Sequence, residues 1–483
     1  MVFRREHAFV PVSFLLCLSL GACESTPAGD GDDAGTTGTT DGSEDTATTD
    51  TDTTGDTTGD TDTGVADVPT YWRDTKSILD ARCVNCHREG EVAPFSLETW
   101  AEVETLAPIL APAITDESMP PWPPAAGCNS YAHDRSLSAE ERDTMLAWLD
   151  AGYPEGDPAD VPPDPEPPAP FEPTFTVSLP EPYTPKDTLD DYRCFAIPWP
   201  EEYTEDTFVV AQDYFPDRRE LVHHVIAFYA GPGEAAFYQG LDDADPAPGY
   251  ECFGGPGKTD WSAAWLGAWA PGQQPWRAPE GTGLRVEPGS LLIVQVHYNS
   301  LAGNPAPDQT SLGFEVVPAV DRPAAFVPVV EFGWVTGGKP MTIPAGESNV
   351  MHSTTLPRSS PIFLYLTAAL GVSANATLDI WNASLHMHML GTQAQILVDH
   401  SDTQDECLLY IDDWDFNWQG AYELEKPVSF GTGDSLSLTC AYDNSAENQP
   451  IVDGQPKEPE TVEWGDGTFD EMCLGIIYVA AQG

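Results

Sequence analysis

From about residue 174 onwards, short apolar runs alternate with clusters of Gly, Pro, Asn and Asp, and helical periodicity is scarce. Runs of this length, rich in Val, Ile, Phe, Tyr and Thr, are typical of strands joined by turns. Such strands bury their apolar faces when two antiparallel sheets pack together. We therefore predict a mainly β fold with two tandem β-sandwich domains, at residues 174–322 and 323–483, which meet near Pro318 to Pro328. The runs are Thr207 to Ala211, Val222 to Tyr229, Leu291 to Tyr298, Ile362 to Thr367 and Ile476 to Ala480.

The first 23 residues have the pattern of an export signal. Arg4 and Arg5 precede an apolar run from Phe9 to Leu20, and small residues then lead into Cys23. This order is typical of a bacterial lipoprotein signal, in which Cys23 becomes the lipidated N-terminus; a general secretory signal is the alternative. Residues 24–68 are dominated by Asp, Thr, Gly, Ser and Ala, which predicts a disordered acidic linker.

Residues 69–156 have helical character around the motif Cys83-Val84-Asn85-Cys86-His87. Two thiols and an adjacent imidazole at this spacing are typical of haem c, which the thiols attach while His87 takes one axial position. We expect a first helix from about Tyr71 and a last helix that begins at Ser138 with a capping box to Glu141. The segment is therefore predicted to be a small α-helical cytochrome c-like domain. A zinc site or a redox dithiol is the alternative for the motif.

The second axial ligand of this haem is predicted to be Met119. It lies in Ser118-Met119-Pro120-Pro121-Trp122-Pro123, a rigid loop that can present a thioether. His133 is the rival ligand, and a hydrophobic loop anchor is the ordinary role for such a Met. A Pro-rich linker at residues 157–173 then separates this domain from the β-rich part.

Histidines recur inside the predicted strands. His223 and His224 are adjacent, so a regular strand directs them to opposite faces, and binding of one metal by both requires a twist or different ring nitrogens. His297 lies in an apolar run, where a lone His is more often a core residue than a ligand. Together the three imidazoles form one candidate metal site.

A second group of ligands lies further along the chain. His386 and His388 are two residues apart, which places both rings on one face of a strand, while Met387 and Met389 face the other side. Met472, in Asp470-Glu471-Met472-Cys473, can add a thioether; a core Met is the alternative. Two imidazoles with a soft sulfur ligand favour copper over zinc, calcium or magnesium.

These patches, in this order, resemble the ascorbate-dependent type II copper monooxygenases, the family of the peptidylglycine alpha-hydroxylating and dopamine beta-monooxygenases. The resemblance covers roughly the C-terminal two thirds of the chain and is carried by four short patches. They are Leu221-Val222-His223-His224-Val225-Ile226, Gln295-Val296-His297-Tyr298, His386-Met387-His388-Met389-Leu390-Gly391 and Asp470-Glu471-Met472-Cys473-Leu474-Gly475.

The resemblance implies two jelly-roll-like domains with one copper ion each, facing one another across a cleft. His223, His224 and His297 hold one ion in this interpretation, and His386, His388 and Met472 hold the ion that reacts with dioxygen to hydroxylate a C-H bond. It also implies a Cys440–Cys473 disulfide. Pairing of Cys194 with Cys252 is a guess, and the other cysteine connections cannot be read from the sequence.

The substrate differs from a peptide in this interpretation. Peptidylglycine enzymes have an arginine where Ser384 stands, and Leu474 and Ile476 replace their Asn and Tyr, so a C-terminal peptide is not expected. The expected partners are O2, a small organic substrate and an electron donor, either ascorbate or a redox protein, with the fused haem c as a route for electrons.

The formal charge of -58 argues against nucleic acid or an anionic membrane surface as a partner, because both require clusters of Lys and Arg. Membrane attachment is expected through the lipid anchor alone, at the periplasmic or surface face of a bacterial envelope. The alternative function is an exported haem and copper lipoprotein that transfers electrons or handles copper without hydroxylating a substrate.

Overall fold

The computed structural model describes residues 68–483 except 90, 92, 164–169, 187, 189, 253, 254, 258–262, 300–304, 453 and 466. The predicted signal at 1–23, its Cys23 and nearly all of the linker at 24–68 lie outside the described residues. None of the helices within the described part is both long and apolar enough to cross a bilayer.

The N-terminal part of the described chain is helical. A π-helical turn at Tyr71–Thr75 leads directly into helix α1 (Lys76–Arg82), followed by α2 (Trp100–Thr115) and α3 (Ala139–Asp150). The predicted first and last helices are confirmed, including the Ser138 capping box with Glu141. Helix α2 was not predicted; Thr99 caps it by the same motif with Glu102.

These helices pack around a small core of their own. Tyr71, Leu79, Val103, Met145 and Trp148 are all nearly inaccessible to solvent and lie in one cluster. The chain then continues through a 3-10 turn at Pro158–Asp160 into the β-rich part, and residues 68–483 group into one compact unit.

The described residues of the first half of the β-rich part form ten strands and one helix. A five-stranded sheet, in the order β5-β2-β9-β4-β6, packs on strands β1, β10, β3 and β8 of a second sheet. The strands are β1 (Phe175–Ser178), β2 (Asp190–Pro198), β3 (Thr207–Phe215), β4 (Val222–Ala230), β5 (Tyr250–Glu251), β6 (Ala263–Trp269), β7 (Trp276–Arg277), β8 (Thr282–Val286), β9 (Leu291–Asn299) and β10 (Ser311–Val317), with helix α4 (Ala235–Ala244) after β4.

The second half repeats this two-layer arrangement. A four-stranded sheet, in the order β12-β17-β14-β15, packs on strands β11, β20, β13 and β16. The elements are β11 (Arg322–Val329), α5 (Phe332–Val335), β12 (Val350–Pro357), α6 (Pro361–Ala369), β13 (Leu378–His386), β14 (Gly391–Asp399), β15 (Glu406–Ile411), β16 (Ala421–Phe430), β17 (Ser435–Tyr442), a 3-10 turn (Ala446–Asn448), β18 (Ile451–Val452), β19 (Gln455–Pro456) and β20 (Leu474–Ala481).

The two halves share one sheet. Strand β11 pairs in parallel with β8 of the first half and antiparallel with β20 of the second, which makes a nine-stranded sheet in the order β1-β10-β3-β8-β11-β20-β13-β16, with β7 added beside β3. The region predicted as the meeting point of two separate sandwiches is therefore largely a strand that joins them. A mainly β fold is confirmed.

One predicted strand is wrong. Residues 362–367 lie in helix α6, with Pro361 in the first turn after Ser360. Pro is favoured at a helix start, and the Leu and Ala residues that follow are good helix formers. A short apolar run does not distinguish a strand from a buried helix, which explains the error.

Three disulfides link the described cysteines. Cys440–Cys473 is the pair that the family resemblance implied, and Cys194–Cys252 is the pair that was only guessed. Cys128–Cys407 joins the helical part to the second β half across 279 residues. Cys83 and Cys86 are the described cysteines that remain unpaired. Disulfides of this kind are typical of an oxidising compartment.

Candidate metal centres

Three histidines converge between two paired strands of the first β half. His223 and His224 lie on β4 and His297 on β9, where His224 is directly opposite His297. The three Nδ1 atoms are mutually close: 3.3 Å between His223 and His224, 3.2 Å between His223 and His297, and 3.3 Å between His224 and His297. We call this group the N-terminal centre.

A register shift in β4 brings the two adjacent imidazoles to one place. The pairing of β4 with β9 is interrupted between Val222 and His224, so His223 is the extra residue on its strand. A bulge of this kind bends the strand and redirects a side chain. Because of this bulge, the side chains of His223 and His224 reach the same place, although adjacent residues of a regular strand point in opposite directions.

Asp190 orients the third imidazole. Its Oδ1 lies 2.9 Å from Nε2 of His297 and also accepts from the Asn299 amide at 3.2 Å. Tyr192, on the same strand, stacks on His297 with ring centroids 4.0 Å apart and planes within 5°. A proton on Nε2 shared with the carboxylate leaves Nδ1 as a free lone pair, as in many metal sites. Asp190 was not predicted as a functional residue; its only signal in the sequence was a carboxylate at the start of a buried strand.

Burial keeps these imidazoles neutral. It holds the pKa of His224 and of His297 well below the ordinary value, with the charges of neighbouring histidines acting in the same direction. The pKa of His223 is also lowered by burial. Neutral imidazoles are the form that binds metal, and facing lone pairs at this spacing are favourable only around a cation. The residues present therefore fit a bound metal ion, for which their spacing is suitable.

Two histidines face each other at the end of β13 in the second β half. The Nε2 atoms of His386 and His388 are 3.2 Å apart, and their rings meet edge to face. Nδ1 of His386 lies 2.5 Å from Oε1 of Gln419, and Nδ1 of His388 lies 3.0 Å from the carbonyl oxygen of Asp470. Because both Nδ1 atoms donate to oxygens, both Nε2 lone pairs are free for a metal. We call this group the C-terminal centre.

Met472 lies on the segment beside these two imidazoles. Leu474 pairs with His386 at the start of β20, and the carbonyl of Asp470 contacts His388. Tyr442 donates its hydroxyl proton to the carbonyl oxygen of Met472 at 2.7 Å, and the next residue, Cys473, is bonded to Cys440. The backbone of Met472 is thus fixed next to the centre, and its side chain is buried.

Glu471 ties the two segments of this centre together. Its carboxylate is fully buried and accepts the backbone N–H groups of His388 at 2.8 Å and of Leu390 at 2.5 Å. Hydrogen bonds to an ionised carboxylate are among the stronger kinds. Glu471 was not predicted to have a role; its only signal in the sequence was an acidic residue next to an apolar strand.

The imidazoles of the C-terminal centre are also neutral. Burial, reinforced by the charge of His386, lowers the pKa of His388 to about 3. Burial lowers the pKa of His386 as well, against the opposing effect of its hydrogen bond with Gln419. Met387 and Met389, which flank His388 in the sequence, are both buried.

The Cys83, Cys86 and His87 motif follows the end of helix α1. His87 is largely buried, stacks on Phe95 and places Nδ1 3.3 Å from the carbonyl oxygen of Phe95, which leaves Nε2 available as a ligand. A Cβ atom built on Gly272 of the first β half would lie 2.7 Å from the Sγ of Cys86, so the thiol packs against the backbone there. Two unpaired thiols and a ring oriented through Nδ1 are chemically suited to haem c.

Met119 borders a cavity of about 410 Å³ between the helical part and the second β half, together with Trp122, Tyr131 and Leu137. His133, the rival axial ligand, is exposed and has a positive φ of 58°. Burial raises the pKa of Glu423, and the nearby charge of His133 opposes part of that rise. Met119 is thus half-buried beside this cavity, whereas His133 is exposed.

Residues 370–481, which include His386, His388 and Met472, match the family model described as "Copper type II ascorbate-dependent monooxygenase, C-terminal domain". Three curated relatives carry the name DBH-like monooxygenase protein 1. The chain is 23% identical to the Gallus gallus protein over 54% of this chain and 39% of that protein. For Mus musculus the values are 26%, 53% and 39%, and for Homo sapiens 24%, 60% and 44%.

The chain therefore spans less than half the length of the curated relatives it matches. These findings support a relationship to the copper type II monooxygenase family. Among solved structures, Cowpea mosaic virus top component is matched over 64% of this chain and 88% of that chain, with 10% identity and a TM-score of 0.22. A TM-score this low does not indicate a common fold.

Proposed function

We propose that this protein is a copper-dependent monooxygenase that hydroxylates a C-H bond of a small organic substrate with dioxygen. The observation that carries the proposal is the convergence of neutral imidazole nitrogens at two separate centres, through Nδ1 at one and Nε2 at the other. The match of residues 370–481 to the C-terminal domain of copper monooxygenases supports the same conclusion.

The donor atoms of the two centres differ in a way that suits a division of roles. His223, His224 and His297 would hold one copper ion entirely by nitrogen, with a carboxylate behind one ring. His386 and His388, with Met472 as a thioether, would hold the other. The softer sulfur favours Cu(I). Bound copper would supply one-electron chemistry toward dioxygen, which the side chains alone cannot provide.

The residue two positions before His386 is uncharged. Ser384 and His386 point to the same face of β13, where they pair with Ile476 and Leu474 of β20. Ser384 carries no charge for a substrate carboxylate. We therefore infer a small organic substrate rather than the C-terminus of a peptide.

Electrons are proposed to come from within the chain as well as from outside. Cys83 and Cys86 would attach haem c, with His87 and Met119 as its axial ligands. The motif lies against the first β half, where Glu91 also forms an ion pair with Arg219 at 3.1 Å. Ascorbate or a redox protein is the proposed external donor.

Oxygen consumption coupled to a reductant tests the proposal. With ascorbate and a panel of small organic C-H donors, we expect uptake of dioxygen with one hydroxylated product per dioxygen. The Met472→Leu variant is expected to lose most of this activity, because Leu keeps the volume of the side chain but removes the sulfur donor. Uptake of dioxygen that is equal in the two proteins would contradict the assignment.

A second function is favoured by the contact of the haem motif with the first β half, namely an electron-transfer or copper-handling protein without hydroxylase activity. That contact is made by Cys86 against Gly272 and by Glu91 with Arg219. The same experiment separates the two functions. Oxidation of the reductant without any hydroxylated product would support electron transfer alone.

Export with a lipid anchor at Cys23 is also proposed, for the bacterial envelope. The disulfides of the described chain are consistent with an oxidising compartment. Mass analysis of the N-terminal peptide tests the anchor, with a lipid-modified Cys23 as the expected result and an unmodified, uncleaved N-terminus as the contrary one.

A further inference from the structure

The loop at residues 412–420, between β15 and β16, contacts both histidines of the C-terminal centre. Gln419 accepts a hydrogen bond from Nδ1 of His386, and Nε1 of Trp414 donates to the carbonyl oxygen of His388 at 3.2 Å. The ring of Phe416 lies 6.3 Å from the ring of His388, edge to face. Movement of this loop would therefore displace or rotate both histidines.

Both ends of this loop are bound by a segment of the helical part, residues 124–132, which we call the clamp segment. At the β15 end, Ala125 donates its N–H to the carbonyl oxygen of Tyr410 at 2.8 Å. At the β16 end, Ala132 donates to the carbonyl oxygen of Glu423, also at 2.8 Å. Antiparallel bridges at Pro124 with Ile411 and at Tyr131 with Leu424 complete the contact.

The clamp segment is also fixed covalently and by side chains. Cys128 is bonded to Cys407 on β15, and the side-chain amide of Asn129 donates to the carbonyl oxygen of Cys407 at 2.7 Å. The hydroxyl of Tyr131 donates to the carbonyl oxygen of Leu408 at 3.0 Å. The Tyr131 ring is buried in the core of the second β half, next to Tyr422.

We infer that the clamp segment positions the C-terminal centre, by fixing both ends of loop 412–420 so that Gln419 orients the ring of His386 and Trp414 fixes the backbone of His388. The inference rests on the proposed function in that it takes the two histidines as metal ligands. It adds that the helical part contributes to the metal affinity of a centre to which it supplies no ligand.

The physical reason is the freedom of a loop whose ends are not fixed. A loop samples more conformations when its flanking strands lie at the edge of a sheet, and β15 is such an edge strand. When metal-binding side chains must first be ordered, the free-energy cost of ordering them lowers the affinity of the site for the metal ion. Outer contacts of metal-binding histidines typically change affinity about 10-fold to 100-fold.

Cu(I) affinity at the C-terminal centre alone tests the inference. The background is His297→Ala, which is expected to leave copper only at the C-terminal centre. Addition of Cys128→Ser and Cys407→Ser is expected to weaken binding about 10-fold or more, measured by competition with a Cu(I) chelator. The matched control in the same background is Cys194→Ser with Cys252→Ser, which removes a disulfide of the first β half and is expected to leave this affinity unchanged.

Hydrogen exchange of residues 412–420 provides a readout that a general loss of stability would not produce. In the Cys128→Ser and Cys407→Ser protein, exchange should rise in this loop more than in β13 or β20. If the protein lacking the disulfide does not fold, Asn129→Ala with Tyr131→Phe removes two clamp contacts and keeps the disulfide.

The outcomes separate this inference from the proposed function. No measurable copper at the C-terminal centre of the His297→Ala protein contradicts the proposed function itself. Copper that binds there with the same affinity whether or not the clamp contacts are present contradicts only the clamp, as would equal weakening by the control disulfide.

Discussion

The outer partners of the histidines distinguish the two centres at the residue scale. His297 is held by the Asp190 carboxylate, whereas His386 and His388 are held by the neutral oxygens of Gln419 and the Asp470 backbone. A carboxylate behind an imidazole makes it a stronger donor and favours the higher oxidation state of a bound metal. The N-terminal centre is therefore expected to have the lower reduction potential.

Asp190→Asn tests this difference. The amide keeps the shape but removes the negative charge, so we expect Cu(II) affinity at the N-terminal centre to fall about tenfold and its reduction potential to rise. The measurements are competition binding and a redox titration followed by electron paramagnetic resonance. A background of His386→Ala with His388→Ala leaves only this centre loaded. Unchanged affinity and potential would show that Asp190 has no role beyond folding.

At the element scale, the sequence predicted the strands that carry ligands better than their local geometry. The apolar runs around His223, His297 and His386 indicated β4, β9 and the end of β13 because burial and β propensity act within a few residues. The bulge at His223 depends on how β4 pairs with β9, which no short pattern specifies. Its consequence, three converging Nδ1 atoms, was therefore left open.

Contacts between residues that are distant in the sequence were also not predicted. Asp190 and Gln419 are 107 and 33 residues from the histidines that they contact. The Cys128–Cys407 bond spans 279 residues, and cysteine pairing is not readable from spacing alone. Only tertiary packing brings such groups together, so the sequence indicated the candidate histidines but not the groups that orient them.

At the scale of the whole molecule, the nine-stranded sheet joins the two β halves, and the five-stranded sheet that carries the N-terminal centre packs on it. Strand β11 pairs with β8 on one side and with β20 on the other, and β13 with His386 follows β20. Burial lowers the pKa of His224, and a proton on His386 would lower it further, so the two centres are close enough to interact electrostatically. The packing of the five-stranded sheet on the nine-stranded sheet maintains that relation.

The buried histidines predict how the free energy of unfolding of the metal-free protein depends on pH. The pKa values of His224, His297, His386 and His388 are lowered in the folded state, so below about pH 6.5 the unfolded chain binds more protons than the folded chain. The free energy of unfolding should be fully retained above pH 6.5 and should fall on acidification toward the folded pKa values. Each such group contributes a slope of up to about 1.4 kcal/mol per pH unit.

Urea unfolding of the metal-free protein between about pH 7 and pH 5 measures this slope. The His386→Ala and His388→Ala protein should show a shallower dependence, because two of the groups that resist protonation are absent. A slope that is the same in both proteins would mean that these imidazoles are not held neutral by burial.

The claim on which the account depends is that distant histidines and a methionine assemble two copper centres, and copper stoichiometry tests it most directly. Elemental analysis of the copper-loaded, desalted full chain should give two ions per protein. It should give one ion in His297→Ala and one in the His386→Ala and His388→Ala protein. Fewer than two ions in the parent protein, or two ions in either variant, would contradict the claim.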